Sequence, residues 1–117
     1  MKTIDIVQCA AAAALDKKAS RVVCLDLHEV SDLCEMQFIC SGENDRQTRA
    51  IADAIEEQLR TRMNLRPLAV EGKQTGNWVL LDYGNVLVHI FLNIYRDYYA
   101  VDTIWPKARQ VPLEVSQ

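Results

Sequence analysis

The chain has 117 residues, half of them hydrophobic and a quarter charged, a composition that suits one globular domain with its own core and excludes extended disorder. A net charge of -3 argues against a free-standing nucleic-acid binder, which neutralises phosphates with a basic face; an acidic protein can still act in a ribonucleoprotein by docking on its protein part. No apolar run reaches the roughly 20 residues that span a bilayer. The apolar segment after Lys2 is interrupted by Asp5 and Gln8, so no signal peptide is read there and a cytoplasmic location is expected. The four cysteines, Cys9, Cys24, Cys34 and Cys40, form no Cys-x-x-Cys pair, and free buried thiols are expected.

In chain order, Ile4, Val7, Ala11, Ala14 and Leu15 recur at helical spacing and predict a helix over residues 4–18 capped by Thr3, its alanines close-packed on a sheet. Arg21 to Leu27 is a β-branched run of strand length with Val23, Leu25 and Leu27 on one face and Cys24 and Asp26 on the other. A second short strand is expected from Met36 to Cys40. The polar segment after it leads, with Asn44 as cap, into a helix from Asp45 to Met63. Its inner stripe would be Thr48, Ile51, Ala52, Ile55 and Leu59, and its arginines and carboxylates a solvated face. Pro67 to Val70 is a third strand candidate, followed by a turn-rich segment from Glu71 to Asn77.

The segment from Gly76 to Tyr99 carries the strongest pattern. Two apolar runs flank Gly84-Asn85, a pair suited to a two-residue hairpin loop, because primed turns need positive φ. The register then places Tyr83 opposite Val86, Leu81 opposite Val88 and Val79 opposite Ile90 on one face. Asp82 with Leu87, Leu80 with His89 and Trp78 with Phe91 occupy the other. The first face reads as core and the second as a contact surface. A short helix follows, and after Trp105-Pro106 the prolines and lost periodicity predict a poorly ordered tail over residues 109–117. The order of elements predicts a single α/β (α+β) domain over residues 1–108, with a mixed, mostly five-stranded sheet and helices packed on it.

Three kinds of chemistry were weighed on these residues. Cys24, Asp26 and His28 alternate along one strand, but a structural metal site wants four convergent ligands and a second cluster is missing, so no metal is expected. Gly72-Lys73 and Thr75-Gly76 have the wrong order for a phosphate loop, and Asp26 and Asp82 belong to no Asp-x-Asp pair, so Mg²⁺-dependent nucleotidyl transfer is not expected. His89 lies inside a strand, with Asp82 diagonal to it. A contact between them would favour the charged imidazole, as a structural or docking pair would also require. Trp78, Tyr83, Tyr95, Tyr98, Tyr99, Trp105 and Arg96 crowd the last third of the chain. These residue types anchor protein interfaces.

The run NWVLLDYGNVLVHIF, followed by Arg96, Tyr99 and Trp105, resembles the signature of the ribosomal silencing factor family, also called Iojap-related. The VVCLDL strand with Asp26, the SGENDRQTRAIAD segment and the VEG triplet match in the same order, so the resemblance covers nearly the whole chain to Ala108. It implies a nucleotidyltransferase-like fold without the catalytic carboxylates, no enzyme activity and no cofactor. The implied partner is the large ribosomal subunit, bound through its fourteenth protein so that the small subunit cannot join and translation is repressed. It also implies a homodimer off the ribosome and at most peripheral RNA contact. The partner-binding residues so expected are Trp78, Leu80, Asp82, Tyr83, His89, Arg96, Tyr99 and Trp105. The chain departs from the family pattern at Glu35-Met36-Gln37, at Asn85 and at Leu92-Asn93. A degenerate nucleotide-binding or nucleotidyltransferase-like enzyme is the alternative.

Overall fold

The computed structural model describes residues 2–30, 32, 34–99 and 108–113. Its elements are α1 (Thr3–Asp16), β1 (Ser20–Asp26), β2 (Met36–Gly42), α2 (Asp45–Met63), β3 (Ala69–Glu71), β4 (Trp78–Asp82), β5 (Val86–Leu92), α3 (Asn93–Tyr99) and β6 (Arg109–Gln110). The strands form one sheet in the order β3-β4-β5-β2-β1-β6. β2 and β5 are its parallel centre, and the neighbours on either side are antiparallel. A parallel pair needs a long crossover. Here it comprises α2 and the β3–β4 arm, which places α2 against one face of the sheet beside α1.

That face holds the main core. Alanines of α1 and the predicted stripe of α2, Thr48, Ile51, Ala52, Ile55 and Leu59, are buried over Phe38 and Cys40 of β2, Val79 and Leu81 of β4, and Val86, Val88 and Ile90 of β5. Each fully buried Ile, Leu or Val contributes about 1.5–3 kcal/mol relative to an exposed one. The small alanines let α1 lie close to its neighbours. β2 is buried along its entire length, as expected for a central strand with parallel pairing, and therefore shows no alternation in its sequence.

The ends of the elements follow local chemistry. Asn44 accepts from Gln47 N at 2.8 Å, and the Gln47 side chain reaches back to Glu43 N at 2.7 Å, satisfying donors at the start of α2. Gln47 Nε2 also donates to the Lys17 and Lys18 carbonyls, tying the start of α2 to the end of α1. Asn64 closes α2 in the left-handed conformation. Thr3, expected as a cap, is instead the first residue of α1, and Lys2 occupies the cap position without a side-chain bond. The Thr3 hydroxyl donates to the Glu35 carboxylate and accepts from Asn85 Nδ2 at 3.2 Å, so it is engaged away from its own helix.

The hairpin register is the expected one, from Trp78 opposite Phe91 to Asp82 opposite Leu87. Tyr83 N donates to Val86 O across the turn, and of the two loop residues only Gly84 has positive φ, at 84°. The third strand starts two residues later and ends one residue later than expected, and the sheet gains a sixth. Arg109 and Gln110 pair with Asp26 and Leu25, and Val111 N continues to Cys24 O at 2.8 Å. Val111 and Leu113 pack against the main core. The prolines on either side of this segment mark its limits as a short edge strand, so part of the expected tail belongs to the sheet.

Candidate functional site

The sheet face opposite α1 and α2 has a different make-up. A smaller cluster of Leu25, Leu27, Cys34, Ile39 and Phe91 lies there, with Trp78 and Leu87 partly buried against it. Trp78 stacks on Phe91, with ring centroids 5.0 Å apart and planes at 29°. Its Nε1–H donates to His89 Nδ1 at 3.1 Å. Beside it on β4, Leu80 and Asp82 are half-buried. Because β4 alternates, these three side chains point away from α1 and α2, to the side of the sheet on which Arg96 of α3 reaches Ser41.

His89 is 5 % exposed, and its pKa is pushed down to about 4, first by burial and then by the nearby Arg96 charge. The ring is therefore neutral. The contact with Asp82 considered from the sequence is not made: the Asp82 carboxylate accepts from Gly84 N at 2.8 Å, capping the turn, and the imidazole bonds the indole. Burial is the larger cause of the shift, whose direction is opposite to the one a contact with Asp82 would have given.

Other predicted contact residues are placed differently. Tyr83 is 6 % exposed and belongs to the helix-side core, because its parity matches Leu81 and not Asp82; burial raises its phenol pKa. Arg96 is 1 % exposed, and its Nη1 donates to the Arg21 carbonyl and to Ser41 Oγ, both at 2.8 Å. Arg21 itself has φ at 50° within an irregularity of β1, and its guanidinium holds Asn93 and Asp97 of α3. The two arginines thus clasp α3 to the sheet, which takes Arg96 out of the solvent-facing set. Tyr99 is the last residue of α3, and its side chain, like Trp105 as a whole, lies outside the described residues. Tyr98, named among the aromatics of the last third but not in the partner-binding set, is 80 % exposed; helical parity relative to buried Arg96 is the signal for it.

The remaining chemistry is dispersed. Cys24 is buried on the helix side, whereas His28 is exposed and bonded through Nδ1 to Asp26 at 2.7 Å. That carboxylate, with further help from nearby Glu35 and Glu29, raises the pKa of His28. Burial pushes the Cys24 and Cys40 thiols up to about 12, so both stay protonated. Asp26 pairs with Met36, on the helix-side parity, and Asp82 pairs with Leu87, on the other. The two strand carboxylates stand on opposite faces and do not converge on a common point. Among the described residues no group of three or more His, Cys, Asp or Glu is arranged to hold a metal ion, and no helix is long and apolar enough to cross a membrane.

Two of the departures noted in the sequence meet in space. Glu35 N and Met36 N both donate to Asn85 O, and the side chains of Glu35 and Asn85 share the Thr3 hydroxyl. An acidic residue at position 85 would set a second carboxylate beside Glu35, so the amide is the compatible choice with this neighbour.

Comparison with known proteins resolves the fold and the pattern together. A family model described as "Ribosomal silencing factor during starvation" matches residues 1–117. The chain belongs to the ribosomal silencing factor family. A ribosomal silencing factor of Bacillus subtilis is 34% identical over 114 residues, covering 97% of this chain and 96% of that protein. A crystal structure from Chromobacterium violaceum superposes with a TM-score of 0.86 at 28% identity, over 99% of this chain and 95% of that one. One from Bacillus halodurans gives 0.81 at 32% identity, over 93% and 98%. Family membership accounts for the chain as a translation regulator and agrees with the sequence resemblance carried by the hairpin.

Proposed function

We propose that this chain binds the large ribosomal subunit through a ribosomal protein, the fourteenth of that subunit, and blocks joining of the small subunit, thereby repressing translation. It does so in the cytoplasm without catalysis or cofactor, and it self-associates as a homodimer when off the ribosome. Family membership supports the client. The observation in this molecule that carries the reading is Trp78, a large aromatic left partly exposed beside Leu80 and Asp82 on the face opposite α1 and α2. Tryptophan at such a position supplies apolar area together with a polar edge, the combination found at interface anchors. Asp82 sets orientation at the rim, where a charge steers more than it binds. Tyr99 and Trp105 are included among the contact residues on the family resemblance alone. The buried Tyr83, His89 and Arg96 act behind the surface and do not touch the partner directly. The separation of Asp26 and Asp82 onto opposite faces supports the non-enzymatic reading over Mg²⁺-dependent nucleotide chemistry.

The test is sedimentation of purified protein with separated ribosomal subunits, followed by a subunit-joining assay. Retention on the large subunit alone and reduced joining are expected. Binding to neither subunit, or Mg²⁺-dependent nucleotide binding by calorimetry with no effect on joining, overturns the proposal.

A further inference from the structure

A tryptophan on a strand facing solvent ordinarily samples several rotamers, and a partner that uses it must pay the entropy of fixing one. Trp78 is not left in that state. Its ring lies on Phe91, itself fully buried, and its Nε1–H is held by His89 Nδ1 at 3.1 Å. The His89 ring is parallel to Phe91 within 6°, so the three rings form one block anchored on β5. Indole nitrogen is a donor only, so Nδ1 must be the acceptor and Nε2 must carry the imidazole proton. Among the described residues, that buried Nε2 has no hydrogen-bond partner. An aliphatic side chain of similar size would spare the fold this orphan. The imidazole is therefore a poor choice for packing alone, and the bond it makes to the indole is what sets it apart.

We propose that His89 is a positioning residue for partner docking: its Nδ1 fixes the indole of Trp78 in the orientation that meets the partner. This rests on the reading that the Trp78 face contacts the large subunit. Asp82 faces the same side from β4 and is occupied by Gly84 N. Arg96 approaches from α3, and its charge disfavours the imidazolium. Cβ substitution cannot be tolerated at Gly72, where it would stand 1.9 Å from the Trp78 carbonyl; the backbone of Trp78 is thus fixed by the preceding turn, and His89 fixes the ring.

The experiment combines ¹H–¹⁵N spectra with affinity for purified large subunits. The chain has two tryptophans, and the indole N–H signal of Trp78 is assigned by its loss in Trp78→Phe. In His89→Leu that signal is expected to move and exchange faster with solvent, and affinity to fall about three- to tenfold. His89→Asn, whose Oδ1 replaces Nδ1 as acceptor, restores both. Trp78→Phe keeps an aromatic ring on Phe91 but removes the donor, so it weakens binding by at least a similar factor, and adding His89→Leu to it costs nothing more. If His89→Leu does not fold, Trp78→Phe and His89→Asn carry the test. An unmoved indole signal in His89→Leu, or a moved signal with wild-type affinity, overturns the positioning role while leaving the docking reading intact. Failure of the wild-type protein to bind large subunits overturns both.

Discussion

The two faces of the sheet are built from alternate residues of the same strands, yet they serve different ends. On the helix side, Val79, Leu81, Val88 and Ile90 of these strands are fully buried among mostly aliphatic neighbours. On the opposite side the same two strands carry Trp78, Leu80, Asp82, Leu87 and His89, a mixture of rings, a carboxylate and half-covered aliphatics. The first face pays for folding, and the second bears polar groups whose costs the first offsets. A one-residue slip of register would exchange them, so the Gly84-Asn85 turn that fixes the register also decides which residues are available for contact.

Mutations on the two sides should therefore separate stability from binding. The largest loss of stability is expected for Phe38→Ala, about 3–5 kcal/mol, read from urea unfolding, because Phe38 is fully buried under the helices. Next comes the pH dependence contributed by His89. Its folded pKa lies near 4 against an ordinary 6.5, so between these values the unfolded chain binds a proton that the folded chain does not. Stability should rise by about 3 kcal/mol from pH 4 to above 6.5, and this component should vanish in His89→Leu. His28 acts with the opposite sign: its pKa is raised by Asp26, so its contribution is present below the unfolded value and fades as pH rises through the folded one. Trp78→Ala should weaken large-subunit binding by about 2 kcal/mol, some thirtyfold, and leave a cooperative thermal transition. Asn44→Ala should cost about 1 kcal/mol of stability through the lost α2 cap, measured as a lower Tm, with binding unchanged.

Much of this contrast was legible in the sequence, for reasons that differ by element. The α2 stripe and its Asn44 cap were readable because both signals are local, one periodic and one a single side chain over free N–H groups. The hairpin register followed from its two-residue turn. Thr3 was misread as a cap because its competing partners, Glu35 and Asn85, are distant in sequence. β6 was missed because two residues between prolines have no periodicity, and their pairing with β1 is purely tertiary. At the candidate site, Trp78, Leu80 and Asp82 emerge as the half-exposed set that alternation predicted. Arg96 illustrates the limit: a charged residue among aromatics reads as a contact, whereas its partners, the Arg21 carbonyl and Ser41, are supplied by strands far along the chain. The neutral state of His89 follows from burial and from the nearby Arg96 charge, both of which are tertiary.

The central claim, that the face opposite α1 and α2 is the one that docks, is tested most directly by titrating large ribosomal subunits with wild-type protein and Trp78→Ala, both shown to be folded by circular dichroism. The account predicts binding by the wild type and about a thirtyfold weaker affinity for the variant. Equal affinity of the two folded proteins would contradict it.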